Sequence, residues 1–419
     1  MENNFQTLSI QRQRQRIDQN KHVEMQKTTS GGNLNSLSLK LSFLIFLLAS
    51  LSPQWARGWG MRGHGLVCEA AIHLVKNENL KRFLLTRAPA ITYLCNLPDT
   101  YWRSIPEGES GAYTHFFESD IIKVPLESVP LSYSALEAMA LGKLNINSQK
   151  PVISVSRELG SNWWRADQFA RLAIEAGKKA SAAAPSGPTK GAITENNDIY
   201  TMWVMMGLMG HFVGDNAQPF HTTRDYDGWY SGHGGIHSYY ETELVDQLPP
   251  EAVSMIVKNA NKAIQELKLT DSKISVVQKM KDLGLLSHGD LQKIFHLDPI
   301  LKKSELRQEK GMELKTEAER KPPNKVINSF EKLLINHMTR GAVLLARSWD
   351  YIFEESGKPA VEKDKSYKFP HQFNFIPADY ISEATAKTTA AAATAPAATP
   401  SPTTPSPSPA TTSKSAPSK

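Results

Sequence analysis

The sequence predicts an all-α fold, a single compact domain built from many helices. Apolar residues recur at helical spacing in several long segments, alternating β-type runs are scarce, and no fixed-period repeat indicates a solenoid. With 40% apolar and 21% charged residues, the composition is that of a globular protein.

The helical segments differ in how much of their surface is apolar. Residues 200–213 are apolar nearly all round, which predicts a central buried helix. The other predicted helices are amphipathic and cover residues 64–86, 164–180, 249–267, 272–285 and 326–353. Residues 183–188 are turn-rich and predict a loop. Residues 302–325 carry dense charges of both signs, which favours a solvated surface insertion.

The N-terminal segment predicts export. A polar stretch, residues 1–40, precedes an apolar run over residues 41–52 that is too short to span a bilayer but typical of a secretory signal. Small residues Ala56 and Gly58 then stand at positions −3 and −1 of a cleavage site before Trp59. We therefore interpret residues 1–58 as a signal peptide with a long polar extension, and expect a secreted or periplasmic protein. An N-terminal membrane anchor that stays attached is the alternative.

The C-terminal segment, residues 383–419, is almost entirely Ala, Thr, Pro, Ser and Lys and predicts a disordered tail. The folded domain is thus expected over residues 59–382, which carry 38 Lys and Arg against 38 Asp and Glu. The net charge of +6 therefore comes from the two ends, and the neutral domain lacks the global basic field of a nucleic-acid-binding protein.

Only two cysteines, Cys68 and Cys95, are present. In an oxidising compartment they could pair, but two cysteines do not make a disulfide framework. Two small buried thiols are an equally good interpretation.

The strongest chemical signal is the segment His211-Phe-Val-Gly-Asp-Asn-Ala-Gln-Pro-Phe-His221. On a helix His211 and Asp215 point to one side, and Pro219 ends the helix so that the turn can bring His221 back beside them. Imidazole and carboxylate groups together form a zinc ligand set. A second pair with the same four-residue spacing, His237 and Glu241, follows directly.

Further candidate ligands are Asp99 in Asn96-Leu-Pro-Asp-Thr100 and His115 in Tyr113-Thr-His-Phe-Phe-Glu118. Each is a weak signal alone, and Asp99 also suits a turn or a helix cap. Together with Trp59-Gly-Met-Arg-Gly-His64 and the two histidine–carboxylate pairs, they reproduce the order of a known signature. The chain resembles the zinc-dependent phospholipase C superfamily, which also contains the fungal and plant single-strand nucleases.

The resemblance implies a centre of three zinc ions. Asp99, His115, His211 and Asp215 are expected to hold the first, and His221, His237 and Glu241 the second. The third zinc is expected to be held by His64, the bridging Asp215, and the α-amino and carbonyl groups of Trp59. The α-amine is free only after cleavage directly before Trp59. Asp99 is also the expected catalytic acceptor of a proton from the attacking water.

The two branches of the superfamily differ in features that can be read here. Glu241 and the segment 114–120 look like the phospholipase C branch, because the nucleases usually have Asp in place of Glu241. The spacing of Trp59 and His64 instead matches the nuclease branch, and His73 is the rival ligand whose spacing is similar to that of the phospholipases. We expect His64 to be the ligand and His233 to lie at the surface or behind the metal site.

The predicted activity is hydrolysis of phosphatidylcholine-like phospholipids at membrane surfaces, by a protein expected to be monomeric. A zinc-dependent nuclease or 3′-nucleotidase is the alternative, and a catalytically inactive lipid-binding module is a third class. Aromatic side chains suit base stacking, a choline pocket, lipid contact or the core; the candidates are Trp102, Trp229 and Tyr230. Arg224 is a candidate phosphate contact.

Overall fold

Long helices form the centre of the protein in a computed structural model that describes residues 59–144, 151–182, 196–269 and 274–380. The described residues lie in one unit of the chain, Ala56–Lys419. The predicted signal segment before Trp59, the predicted loop 183–188 and the predicted tail from residue 383 lie outside the described residues.

The described part of the chain is mostly helical, as predicted. The helices are α1 Met61–Leu74, α2 Glu78–Leu85, α3 Ala88–Asn96, α4 Tyr133–Ala140, α5 Pro151–Leu159, α6 Asn162–Ala182, α7 Asn197–Ala217, α8 Ile236–Ser238, α9 Ala252–Lys258, α10 Ala260–Glu266, α11 Val276–His288, α12 Leu291–Leu297 and α13 Ile327–Glu355. Among the described residues, none of the helices is long and apolar enough to cross a membrane.

Helix α7 is the central element, and nearly all of it is buried, as its apolar sequence predicts. Its first turn is capped by Asn196, whose side chain accepts hydrogen bonds from the backbone N–H groups of Asp198 and Ile199. Its last turn ends just before Pro219, which cannot continue a helix. Helices α1, α3, α6 and α13 pack around α7.

Two predicted helices are each interrupted. The predicted helix 64–86 breaks between α1 and α2, where the carboxylate of Asp350 accepts hydrogen bonds from the backbone N–H groups of Lys76 and Asn77. The Asn77 side chain then caps α2. The predicted helix 249–267 is two helices, α9 and α10, that meet at Asn259.

The all-α prediction missed two small antiparallel sheets. Strand β1 Ile300–Lys302 pairs with β4 Glu319–Arg320, and β2 Glu305–Glu309 pairs with β3 Met312–Thr316 as a hairpin. The segment 302–325 does lie at the surface, as predicted, and β3 is exposed throughout. It is nevertheless ordered into strands, because Lys310 and Gly311 both adopt positive φ and close a tight two-residue turn.

Cys68 and Cys95 form a disulfide bond that joins α1 to α3, with 6.7 Å between their Cα atoms. The alternative of two free buried thiols is therefore wrong. The bond lies against α7, because a Cβ atom added to Gly210 would lie 2.6 Å from the Cys68 sulfur and 2.7 Å from the Cys95 sulfur.

Candidate metal centre

The structure brings together all nine residues that the sequence predicted as metal ligands. The eight with side-chain ligand atoms are buried or nearly so: His64, Asp99, His115, His211, Asp215, His221, His237 and Glu241. They come from distant parts of the chain, and α1, α7, the turn after Pro219 and the helical segment from Ile236 each contribute at least one. These buried His, Asp and Glu groups could hold metal ions.

The first set, here called the Asp99 group, comprises Asp99, His115, His211 and Asp215. His115 Nδ1 lies 2.8 Å from His211 Nε2 and 3.1 Å from Asp215 Oδ2, and His211 Nε2 lies 3.2 Å from that same oxygen. Asp99 Oδ1 is 3.5 Å from His115 Nδ1 and 3.8 Å from His211 Nε2. Four ligands on a tetrahedral metal at about 2.1 Å are separated by about 3.4 Å, so these separations fit one shared ion.

The second set, here called the Glu241 group, comprises His221, His237 and Glu241. The Nε2 atoms of the two imidazoles face each other at 3.2 Å, and Glu241 Oε2 lies 3.8 Å from His221 and 2.8 Å from His237. Two imidazole nitrogens in this arrangement need a shared proton or a cation between them. The separations again match those of ligands around one metal ion.

A third set forms around His64, which is fully buried. Its Nε2 atom lies 3.3 Å from Asp215 Oδ1, as the predicted third site requires, and 3.9 Å from Asp99 Oδ2. Its ring also stacks on His211 with 4.1 Å between the centroids. His64 therefore contacts three members of the Asp99 group, Asp99, His211 and Asp215, whereas the prediction gave it only Asp215 as a shared ligand. His73, the rival ligand, is exposed near the far end of α1.

Trp59 is fully buried beside this third set, and its ring lies 5.8 Å from that of Tyr240. The Trp59 carbonyl oxygen, just before helix α1 begins, accepts a 3.4 Å hydrogen bond from the backbone N–H of His64 in the first turn of that helix. The predicted N-terminal ligand is thus close in space to the histidine predicted to share its metal.

Backbone carbonyl groups orient two of the histidines. His211 Nδ1 lies 2.7 Å from the carbonyl oxygen of Cys95, and His221 Nδ1 lies 2.7 Å from that of His115. Each ring then donates from Nδ1 and leaves Nε2 to bind a metal, the usual second-layer arrangement in metalloproteins. The first of these carbonyls belongs to Cys95, which is itself bonded to Cys68 through the disulfide.

Local structure also positions Glu241. It lies in a π-helical turn, Tyr239–Glu243, in which the Leu244 N–H bonds to the Tyr239 carbonyl, and such turns are frequent at functional sites. Gln218 donates a 3.0 Å hydrogen bond to Glu241 Oε2. Sequence reasoning missed Gln218, although it lies inside the 211–221 motif that supplied three ligands.

Arg103 is the second positioning residue that sequence reasoning missed. Its guanidinium lies 2.8 Å from Asp99 Oδ1, four residues earlier in the chain. The four-residue spacing between Asp99 and Arg103 is the sequence feature that could have predicted this ion pair. Burial disfavours the charged carboxylate, but His211, Arg103 and His115 together lower the pKa of Asp99 below its usual value.

Burial sets the protonation states of two histidines of the site, His115 and His237. It lowers the pKa of His115 and of His237 to about 4, so both rings are neutral at pH 7 and can donate a lone pair to a metal. Burial opposes ionisation of Asp215, but His211 and His221 hold its pKa well below the usual range. The Asp215 carboxylate is therefore charged.

Burial also raises the pKa of Glu241 to about 8. A cation in the Glu241 group would offset that cost, because it stabilises the charged carboxylate directly.

The other candidate residues are divided between core and surface. Trp102 is core: it is 2% exposed, and its indole N–H donates to the Phe373 carbonyl. Trp229, Tyr230 and Arg224 instead line an open pocket beside the Glu241 group. His233 is half-buried and ion-paired with Asp298 at 2.7 Å, and among the described residues it belongs to none of the buried groups that could hold a metal.

No protein-family model matches the chain, and no curated protein matches it.

Proposed function

We propose that this protein is an exported zinc-dependent phospholipase C. It hydrolyses the glycerol-side phosphodiester bond of phosphatidylcholine-like phospholipids and releases diacylglycerol and a phosphorylated headgroup. The observation that carries the proposal is the meeting of the Asp99 group, the Glu241 group and His64 in one buried cluster, in which Asp215 lies within 4 Å of His64, His115 and His221. Phosphoesterases use adjoining metal sites of this kind.

Zinc fits the residues present. Imidazole nitrogen with carboxylate oxygen is a donor set that zinc favours, and the separations within each group suit tetrahedral ligation. His64 supports this further, because neither of its ring nitrogens has a hydrogen-bond partner among the described residues although the side chain is fully buried. A buried polar group without a partner is costly unless a ligand satisfies it.

When bound, zinc supplies Lewis acidity, which makes water a nucleophile at neutral pH and offsets charge on the phosphoryl oxygens. Asp99 accepts a proton from the attacking water, and Arg103 keeps that carboxylate charged and oriented. As the water oxygen bonds to phosphorus, the bond from phosphorus to the glycerol oxygen breaks. That oxygen then takes a proton from solvent, and diacylglycerol leaves.

Three features favour lipid over nucleic acid. Glu241 stands where the phospholipase branch of the resembling superfamily has Glu, and it lies 2.8 Å from His237 within the second set. Residues 59–382 are formally neutral, which suits a zwitterionic headgroup better than a polyanion. Tyr226 and Tyr230 are exposed beside the Glu241 group, where a lipid surface could contact them.

A zinc-dependent nuclease or 3′-nucleotidase is the second candidate, and one observation favours it. His64, whose spacing from Trp59 matches the nuclease branch, is buried in the cluster, whereas the phospholipase-like His73 is exposed on the same helix. The choice between the branches therefore depends on substrate assays.

The deciding experiment offers purified exported protein two substrates, phosphatidylcholine vesicles and single-stranded DNA. We expect release of phosphocholine, its loss on addition of a chelator, and its recovery on addition of zinc. Hydrolysis of DNA without phosphocholine release would contradict the proposal and establish the second candidate. Activity on both substrates that persists in chelator would contradict the metal assignment itself.

A further inference from the structure

Tyr240, which directly precedes Glu241, lies among the residues that are predicted to hold metal. Its side chain is fully buried, and its ring centroid lies 5.8 Å from that of Trp59 and 6.0 Å from that of Phe220. Both distances are in the range of aromatic contact. Because Phe220 directly precedes His221, this one ring touches the chain at or beside three of the predicted ligating residues.

The hydroxyl of Tyr240 belongs to a buried chain of hydrogen bonds. Its oxygen lies 2.9 Å from His337 Nδ1, and His337 Nε2 lies 3.0 Å from Asp290 Oδ2. Arg340 and Lys293 donate to the same carboxylate. Tyr240 and His337 are fully buried, and Asp290 is 4% exposed. The chain therefore anchors the ring of Tyr240 to α13, which carries His337, and to the start of α12 at Asp290.

The charge of Asp290 sets the direction of these hydrogen bonds. Burial opposes ionisation of its carboxyl group, but hydrogen bonds from His337, Lys293 and Arg340 lower its pKa below the usual range, so the group is charged. Burial lowers the pKa of His337, so that ring is neutral and carries a single N–H. Since a carboxylate only accepts, His337 donates from Nε2, and its Nδ1 atom accepts from the Tyr240 hydroxyl. A buried network satisfied in this way holds its members in one arrangement.

The indole of Trp59 is positioned by packing rather than by hydrogen bonds. Its buried Nε1 atom has no hydrogen-bond partner among the described residues, so the side chains around the ring set its place. The ring of Tyr240 is one of them. Thr242 lies against Gly60, because a Cβ atom added to that glycine would lie 2.9 Å from Thr242 Oγ1. The two residues that flank Glu241 thus contact the first two residues of the predicted mature chain.

We infer that Tyr240, His337 and Asp290 form a positioning chain for the third predicted metal site, with His337 as its central member. The chain holds the ring of Tyr240 in place, the ring holds Trp59, and the backbone of Trp59 is thereby directed at the metal that it is expected to share with His64. The three residues are outside the predicted ligand set, so they act on the metal through Trp59.

The inference rests on the metal centre of the proposed function, but its test measures zinc binding rather than catalysis. Zinc per chain is measured in the full exported protein after dialysis against buffers that set a series of free zinc concentrations. Three zinc ions are expected in the unchanged protein.

Tyr240→Phe keeps the ring and removes only the hydroxyl. We expect this variant to need about tenfold more free zinc to fill the third site and to keep the other two filled, because changes to groups that orient metal ligands typically cost about 10- to 100-fold in affinity. Excess zinc should then restore the phosphodiesterase activity by mass action.

Two further variants separate positioning from a general loss of stability. His337→Asn, whose side-chain oxygen can still accept from Tyr240, should retain the third zinc better than His337→Ala. Thr339→Val is the matched control, because it removes another buried hydroxyl from α13, one that donates to the carbonyl groups of Ile335 and Ile256. This control should leave zinc binding unchanged.

The sharpest comparison repeats Tyr240→Phe in a variant with one extra residue before Trp59, which is expected to hold two zinc ions. Because the chain acts through Trp59, the two changes should not add, and zinc binding should weaken no further.

Equal weakening by Tyr240→Phe in both backgrounds, or no weakening in the unextended protein, would overturn the inference and leave the proposed function standing. The expected pattern of zinc binding in a protein that hydrolyses no phosphodiester would instead contradict the proposed function and leave the positioning chain standing. A protein that binds no zinc would overturn both.

Discussion

Asp215 is the residue on which the cluster depends. Its Oδ1 atom lies 3.3 Å from His64 Nε2, while Oδ2 lies 3.1 Å from His115 Nδ1 and 3.2 Å from His211 Nε2. A carboxylate with both oxygens so placed can bridge two metal ions. The side chain is fully buried on α7, so solvent cannot replace it.

Replacing this bridge tests its role. We expect Asp215→Asn to lose bound zinc and at least about 100-fold of the phosphodiesterase activity, because the amide removes the negative charge and one ligand atom. Zinc per chain, measured by mass spectrometry after dialysis, and phosphocholine release are the two readouts. Asp198→Asn, in the first turn of the same helix, is the control and should change neither. Full zinc content in Asp215→Asn would contradict the bridging role.

Individual residues of the cluster were predictable because helical spacing places residues four apart on one side. That rule identified His211 with Asp215 and His237 with Glu241. The same rule, applied to Asp99, would have identified Arg103. The carbonyl groups that orient His211 and His221 were not predictable, because backbone acceptors on other elements depend on how the chain folds.

At the scale of elements, the cluster exists because α7 approaches α1 and α3 closely. Gly210 and Gly214 lie one turn apart on α7 and face those helices. A Cβ atom on Gly214 would lie 2.8 Å from His64 Nδ1, closer than ordinary contact allows. The absence of side chains at these two positions lets His64 reach Asp215.

Gly214→Ala should therefore push α1 away from α7. We expect a loss of about 1–3 kcal/mol in the free energy of unfolding and weaker zinc retention, despite the higher helix propensity of Ala. Denaturant unfolding of the zinc-loaded protein measures the first and dialysis the second. In the control Gly289→Ala, the new Cβ lies 3.3 Å from the Leu285 carbonyl oxygen and touches no member of the cluster, so the loss of stability should be smaller and zinc retention unchanged. Unchanged stability and zinc content in Gly214→Ala would contradict the close contact between α1 and α7 at this position.

The interrupted helices show what periodicity cannot predict. The apolar pattern over residues 64–86 continues through the break between α1 and α2. The helix nevertheless stops there, because the carboxylate of Asp350 on α13 accepts hydrogen bonds from the backbone N–H groups of Lys76 and Asn77. The hairpin β2–β3 was missed for a different reason. Its strands are largely exposed and charged, so they lack the alternation of apolar and polar residues that indicates a half-buried strand.

At the scale of the whole molecule, the fold joins predicted ligands that are as much as 182 residues apart, from Trp59 to Glu241. The Cys68–Cys95 disulfide lies at this junction, one turn after His64 and next to the carbonyl that orients His211. The mostly helical character and the order of the ligands were predictable from the sequence. The close approach of His64 to both Asp99 and Asp215 was not, because it depends on the packing of α1 against α7.

The predicted N-terminal ligand links export to activity. Trp59 is buried beside His64, and its α-amine can bind a metal only when the peptide bond before it has been cut. The precursor is then expected to lack one ligating residue of the third site. Full activity is expected only after cleavage between Gly58 and Trp59.

The most direct test of the metal centre is the zinc content of the exported protein, measured together with its N-terminal sequence. The proposed centre predicts a chain that begins at Trp59 and retains three zinc ions after dialysis. A matched variant with one extra residue before Trp59 should retain two and lose most of its activity. A chain that begins elsewhere, or an extended variant with three zinc ions and full activity, would contradict ligation by Trp59. Absence of bound zinc would contradict the metal centre as a whole.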